Sequence, residues 1–284
     1  TISYVLAMEE ISKIDASCSV AMSVNNSLVC WGIETFGTEF QKEKYLQPLA
    51  KGEMIGAFCL SEPEAGSDAT SQKTTAIDCG DHYILNGTKN WITNGNSASI
   101  YLVIAQTDVE KRHKGINAFI IEKEMKGFEV GKKENKLGIR GSDTHSVMFT
   151  DVKVPKKNRI GDNGFGFTFA MKTLSGGRIG IAAQALGIAS GAYELSLKYS
   201  KERKAFGKEI SNHQAIAFKL ADMITEINAA RLLCLKAAWL KDNNQNYDRA
   251  SAIAKVFSSE TAMKTTTEAV QIHGGYGFCK RISC

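Results

Sequence analysis

Gly161-Asp162-Asn163-Gly164 is the stretch that divides this chain into two kinds of sequence. Its residues favour turns, glycine through access to positive φ, Asp and Asn through hydrogen bonds to their own backbone. Upstream, from about 53 to 160, apolar residues alternate in short runs at 55–60, 73–79, 82–89, 100–105, 116–122 and 145–154. Turn chemistry separates them at Cys79-Gly80-Asp81, Asn94-Gly95-Asn96 and Lys126-Gly127. Short strands at this spacing predict a small barrel or sandwich. Downstream the period becomes helical, at 165–203, 213–242 and 247–274, each segment long enough for a bundle helix. Gly180, Ala183, Ala185, Gly187 and Gly191 predict close helix packing. Farther upstream, residues 1–52 read as helix, with a 3.6 period through Ile2, Val5, Leu6 and Ile11 and a second amphipathic stretch at 36–49. Breaks fall at 15–19 and 32–37. The expected architecture is therefore α+β and multidomain: a helical part over 1–52, a β domain over 53–160 and a helical bundle over 161–284.

Composition narrows the function classes. With 43% hydrophobic and 23% charged residues and only 3 Pro, the chain is globular in type. No apolar run approaches the roughly 20 residues that cross a bilayer, so no membrane span is expected. Seven cysteines, an odd count without CxxC spacing, argue against a disulfide framework and a zinc site, and for a reducing compartment. The net charge of +5 is mild, and its basic clusters, Lys132-Lys133 with Lys136 and the 153–159 run, accompany no nucleic-acid module. No His, Cys and carboxylate cluster points to a metal. Gly164-Phe165-Gly166 lacks the strand–turn–helix setting and third glycine of a dinucleotide fingerprint. The start at Thr1, without Met and within a helical pattern, reads as a truncation.

Four segments carry candidate chemistry. Phe58-Cys59-Leu60-Ser61-Glu62-Pro63-Glu64-Ala65-Gly66-Ser67-Asp68 runs from a strand into a loop offering N–H groups and hydroxyls, or reads as an ordinary loop with an Asx-type turn. Trp91-Ile92-Thr93-Asn94-Gly95 offers a flat apolar wall with a hydroxyl two residues on, or a core Trp beside a hairpin. Glu202-Arg203-Lys204-Ala205-Phe206-Gly207, followed by His213-Gln214, contains an Arg suited to bidentate phosphate binding and a Gly that can end a helix. Gln271-Ile272-His273-Gly274-Gly275-Tyr276-Gly277-Phe278 ends a helix in paired glycines, which either admit a ligand to the backbone or simply cap.

In this order and spacing the four segments resemble the acyl-CoA dehydrogenase family, most closely its short-chain (butyryl-CoA) branch, from Thr1 to Phe278. The resemblance implies a helical N-terminal domain, here partial, a middle β domain and a C-terminal four-helix bundle, here incomplete. It implies FAD as cofactor, an acyl-CoA thioester as substrate, electron-transferring flavoprotein as acceptor, and a dimer-based homotetramer. Phe58, Cys59, Leu60, Ser61 and Ser67 would line the flavin and the start of the acyl-CoA site. Trp91, Ile92 and Thr93 would pack on the isoalloxazine, with the Thr93 hydroxyl near N5. Arg203, Gln214, Gln271, Ile272, His273, Gly274 and Gly275 would hold pyrophosphate and adenosine across a subunit interface. Ser175, Gly176, Gly177 and Arg178, with Ser67, resemble the part that touches the thioester end of CoA. The compartment implied is a bacterial cytoplasm or a mitochondrial matrix.

Family chemistry removes the proton α to the thioester with a carboxylate while a β-hydride passes to the flavin. In the short-chain branch that base is a Glu some twenty residues beyond the GGYGF segment, so it is expected beyond Cys284. The minority position, next to Arg178, is Gly177. Glu62, Glu64 and Glu194 match neither. The expectation is weak flavin binding or none, and no dehydrogenation, by these 284 residues. The tail reads Lys-Arg-Ile-Ser-Cys where relatives continue KEYPVE; one base inserted in an A-run converts the one into the other with a stop, so a frameshift is the reading of 280–284.

Overall fold

The computed structural model describes residues 1–279; residues 280–284, on which the frameshift reading falls, lie outside them. The architecture is α+β: N-terminal helices, a β-sheet region and C-terminal helices. The first part comprises α1 (Ile2–Ile14), α2 (Ala16–Ser23), α3 (Trp31–Phe36), α4 (Glu39–Gln41) and α5 (Gln47–Lys51), with π-helical turns at Val24–Cys30 and Lys42–Leu46. The first break is narrower than expected, since only Asp15, extended at φ −147°, leaves the helix before α2 resumes.

Eight strands form one sheet: β1 (Gly56–Cys59), β2 (Thr75–Asp78), β3 (His82–Thr93), β4 (Ile100–Gln106), β5 (Ile116–Glu122), β6 (Phe128–Lys133), β7 (Thr144–Pro155) and β8 (Arg159–Ile160). The order is β6-β7-β3-β2-β4-β5-β8, with β1 parallel to β4. Strands β6 and β8 were absent from the periodicity reading. The first is half-exposed and the second is two residues long, so neither carries an apolar alternation. The helical remainder contains α6 (Gly166–Glu202), a hairpin of β9 (Lys204–Ala205) and β10 (Lys208–Glu209), α7 (Gln214–Asp242), α8 (Asp248–His273) and α9 (Gly275–Phe278).

The chain divides into two compact units, one of residues 20–177 and one of 1–19 with 178 onward. In the first, β4 is buried along its whole length because both faces are covered. Tyr101, Val103 and Ala105 face one apolar cluster with Ala57, Leu85, Phe119, Val147 and Val152. Ile100, Leu102 and Ile104 face another with Val29, Ile33, Tyr45, Ile120 and Phe169. The sheet curls over the first cluster, which brings Tyr83 of β3 to 4.9 Å, centroid to centroid, from Phe119 of β5, although two strands lie between them. A capping box starts α4: Thr38 Oγ1 accepts from Gln41 N, and Gln41 Oε1 accepts from Thr38 N. The same buried Gln41 donates from Nε2 to the carbonyls of Lys157 (2.8 Å) and Arg159 (2.9 Å), fixing the approach to β8.

In the second unit the small residues of α6 permit close packing. A Cβ at Gly187 would collide with the Glu9 carbonyl and lie 2.5 Å from Ser12 Cβ, and one at Gly191 would lie 2.5 Å from the Lys13 carbonyl oxygen. Gln184 Nε2 donates to Ala16 O at 2.8 Å. Glu9, only 3% exposed, receives Nε of Arg231 at 3.1 Å and also its Nη2. A seam of small residues, including Ala230, Cys234 and Ala237 of α7 and Ser251, Ala254 and Ser258 of α8, is buried where the two helices pack.

Candidate functional site

Strand β1 delivers Phe58, Cys59, Leu60 and Ser61 to the edge of the sheet. Cys59 is fully buried in the core, which pushes its thiol up to about 12 and leaves only its backbone available. Phe58 packs toward Phe169, and Leu60 and Ser61 are half-buried. The chain then turns tightly at Glu62-Pro63-Glu64-Ala65, closed by Glu62 N to Ala65 O (2.9 Å) and Ala65 N to Glu62 O (3.2 Å). Gly66, Ser67 and Asp68 are exposed beyond it, and Asp68 accepts from Thr70 Oγ1 (2.7 Å) and the Ser71 hydroxyl.

Strand β3 ends in an irregularity between Lys89 and Ile92 where its register against β7 shifts. Such an extra residue re-aims the side chains that follow. Lys89 and Trp91 are two apart and would share a face in a regular strand, yet Lys89 is fully buried and Trp91 is 62% exposed. Trp91 adopts φ +61°, left-handed backbone that costs a bulky residue about 1–2 kcal/mol. Ile92 returns to the core at 2% exposure, so it contributes backbone only, while Thr93 is half-buried. The turn beyond is fixed by Asp143, whose carboxylate accepts from Asn96 N (2.9 Å), Ser97 N and Ser97 Oγ (both 2.7 Å). Burial opposes ionisation of Asp143, but those donors and His145, with Nε2 at 2.7 Å, hold its carboxyl below the ordinary range.

Ser175, Gly176 and Gly177 lie inside α6, not in a loop, and all three are buried; Arg178 is half-buried. Each glycine in a helix interior costs about 1 kcal/mol relative to Ala, and at Gly177 a close approach accounts for it. At Gly177 a Cβ would lie 2.8 Å from Leu28 Cδ2.

In the other unit an open cavity of about 450 Å³ is lined by Tyr199, Arg203, Ile210, Ile272, His273, Gly274, Gly275 and Tyr276. The structure therefore gathers Arg203, Ile272, His273, Gly274 and Gly275, while Gln214, exposed at the start of α7, and Gln271 fall outside this lining. Ile272 belongs to a core cluster with Leu220 and Met223. His273 donates Nδ1–H to Ala269 O at 2.8 Å. The Arg203 guanidinium is exposed and has no hydrogen-bond or ion-pair partner among the described residues. Gly207 does not end α6; helix geometry stops at Glu202, and Phe206 (φ +52°) with Gly207 (φ +79°) forms the two-residue turn of the β9–β10 hairpin. Both central residues of such a turn require positive φ. Among the described residues no group of three or more His, Cys, Asp or Glu could hold a metal ion.

The periodicity reading missed the group that organises the first half of the site. Lys89 Nζ donates to Leu60 O (3.0 Å), Glu62 Oε1 (2.7 Å) and Gln72 Oε1 (3.1 Å). Its signal was available, since Lys89 occupies the same alternation phase as the core residues Tyr83 and Leu85.

Each unit by itself carries residues that fit one part of a flavin dinucleotide. In one unit the exposed indole of Trp91 suits an isoalloxazine; in the other, an Arg203 guanidinium without a partner among the described residues, beside paired glycines whose built Cβ atoms meet nothing within 4 Å, suits a pyrophosphate. Comparison with known proteins agrees. The N-terminal, middle and C-terminal domains of acyl-CoA dehydrogenase match residues 1–53, 57–152 and 164–283. The short-chain-specific acyl-CoA dehydrogenase of Clostridium acetobutylicum is 52% identical over 279 residues, covering 98% of this chain and 74% of that protein. The subunit CarC of the caffeyl-CoA reductase-Etf complex of Acetobacterium woodii is 47% identical, covering 98% of this chain and 73% of that subunit. The structure of butyryl-CoA dehydrogenase from Megasphaera elsdenii superposes with a TM-score of 0.98 at 51% identity, covering 99% of this chain and 74% of that one. The chain belongs to the acyl-CoA dehydrogenase family of FAD-dependent oxidoreductases.

Proposed function

We propose that this chain carries the flavin- and thioester-binding framework for α,β-dehydrogenation of short-chain acyl-CoA to enoyl-CoA. The observation that carries the reading is Trp91, held outward at 62% exposure on a strained bulge against the cost of its backbone. FAD, when bound, supplies the hydride acceptor. Trp91 would provide a wall for the ring system, Thr93 a hydroxyl at its edge, and Ser61 and Ser67 polar contacts along the loop. Ser175, Gly176, Gly177 and Arg178 would form the part that touches the thioester end of CoA. In the other unit Arg203, Gly274 and Gly275, with Gln214 and Gln271, would hold the pyrophosphate and adenosine of a flavin across a subunit interface. A homotetramer is supported by apolar side chains left outward on α7 and α8, among them Phe218 (61% exposed), Leu232 (69%) and Met263 (70%). The Etf complex of the Acetobacterium woodii relative favours electron-transferring flavoprotein as acceptor. No helix of the described residues is long and apolar enough to cross a membrane. The six described cysteines are all free, which favours a reducing compartment such as a bacterial cytoplasm or mitochondrial matrix.

The general base is the exception. Glu62 is committed to Lys89, Glu64 to Lys73 and Glu194 to Lys13, and position 177 has no side chain. None of these three carboxylates is free to take the α-proton, and a second reading is a flavin-binding but non-catalytic subunit. Anaerobic addition of butyryl-CoA to the FAD-loaded chain tests both. Bound yellow flavin that does not bleach is the expected result. Bleaching would place a base within these residues, and bleaching followed by peroxide formation on adding oxygen would favour an oxidase.

A further inference from the structure

The loop 61–71 is weakly anchored by apolar contact. Of its residues only Glu62 and Ala65 are buried, while Pro63, Glu64, Gly66, Ser67, Asp68, Thr70 and Ser71 face solvent. Its anchorage is polar and converges on one side chain. The ammonium of Lys89 has three N–H groups and three acceptors, Leu60 O, Glu62 Oε1 and Gln72 Oε1, at 2.7–3.1 Å. Glu62 in turn accepts from Lys73 N (2.5 Å) through Oε2 and from Thr74 N (3.0 Å) through Oε1, and Gln72 Nε2 donates to Ala69 O (3.2 Å). The start of the loop, through Leu60 and Glu62, and its end, through Gln72, are therefore tied to the residue two positions before Trp91. Asn90 adds a backbone link, donating to Ser61 O at 2.9 Å.

A buried ion pair is a poor device for stability alone, because apolar residues of similar volume usually serve as well or better. What an apolar residue cannot do is fix three carbonyl-type acceptors at defined positions. We propose that Lys89, acting through Glu62 and Gln72, is a positioning residue that locks the 60–74 loop to the Trp91 bulge. The two flavin-facing segments are thereby presented in one fixed relation. This rests on the flavin reading given above for what the clamp serves, but the clamp itself does not depend on it. The bulge makes the arrangement possible: it lets Lys89 point into the core and Trp91 point out, although they are two residues apart.

The test compares the 284-residue chain with K89M, Q72M and the double variant K89M/E62Q. Three quantities are read: melting temperature, amide exchange by mass spectrometry over 60–74 and 88–95, and FAD affinity. K89M leaves Glu62 as a buried unpaired charge and is expected to lose stability, so the double variant, which removes both charges, is the informative one. Its melting temperature is expected to recover most of the loss, while exchange over 60–74 stays about tenfold faster than in the parent and FAD binds about tenfold more weakly. Q72M, which keeps the ion pair, is expected to show the same direction with smaller size. A double variant that exchanges at the parental rate over 60–74, or that regains parental FAD affinity together with its melting temperature, would show a merely structural pair and overturn the proposal. Absence of FAD binding by the parent chain would sink the flavin reading instead, and the exchange rates would still decide the clamp.

Discussion

The imidazole of His273 stacks on the ring of Tyr199, with centroids 4.5 Å apart and planes 27° from parallel. The pair forms one wall of the cavity that holds Arg203 and the Gly274-Gly275 turn, and it joins the last turn of α8 to the last turn of α6. Removing the ring should matter and removing the hydroxyl should not. Tyr199→Ala is expected to lower unfolding free energy by about 1–3 kcal/mol, with Tyr199→Phe within about 0.5 kcal/mol of the parent in urea denaturation.

Trp91 predicts a trade between stability and binding. Replacing it by glycine removes the penalty of φ +61° and exposes no core, so Trp91→Gly is expected to gain up to about 1 kcal/mol of stability. The same change removes the indole face, and FAD affinity is expected to fall roughly two- to tenfold, about 0.5–1.5 kcal/mol. Calorimetry and flavin fluorescence titration read the two effects separately. Equal FAD affinity in the glycine variant would remove Trp91 from the site.

The close approach at Gly187 leaves no room for a side chain. Gly187→Val would drive methyl groups into Glu9 and Ser12 of α1 and is expected to cost about 1–3 kcal/mol or more, measured by chemical denaturation. Gly66→Ala, with nothing within 4 Å of its Cβ, serves as the control and should be near neutral.

Arg231 is the partner of the buried Glu9, and its loss strands that carboxylate. Arg231→Met is expected to destabilise by about 1–3 kcal/mol, with E9Q/R231M recovering a substantial part, because the unpaired charge and not the missing bond dominates the penalty. A double variant as unstable as the single would contradict that account.

Glu62 sets an acid limb. Burial alone would raise its carboxyl, but Lys89 and the N–H groups of Lys73 and Thr74 outweigh burial and hold it below the ordinary range. A depressed folded value means that its stabilisation is complete above the unfolded value, about 4.3, and is lost as pH falls through the lower folded value. Stability curves of the parent and Glu62→Gln should therefore diverge above about pH 5 and converge on acidification. A pH-independent difference between them would show that the Glu62 charge is not what the network uses.

Periodicity alone determined the element order of this protein: helices to about residue 52, strands to 160, then long helices. The observed α6, α7 and α8 begin and end within one or two residues of the expected segments, because long amphipathic patterns and the turn at 161–164 are local properties. The small residues at 180–191 likewise announced close packing, which the Gly187 and Gly191 contacts with α1 bear out. The order of four short motifs determined the family. Tertiary structure alone decided which motif residues can present a side chain. Cys59, Ile92 and Ile272 sit in motifs yet are core, while Trp91, Arg203 and the 274–275 glycines are open to solvent. Alternation marks Lys89 as inward, but sequence could not reveal what it meets there, for its three partners lie 17 to 29 residues away and reach it only when β1, the loop and β3 come together. Local period fixes where a strand runs; the one-residue bulge that turns Trp91 outward and Lys89 inward depends on pairing with β7, a contact made across more than fifty residues of chain.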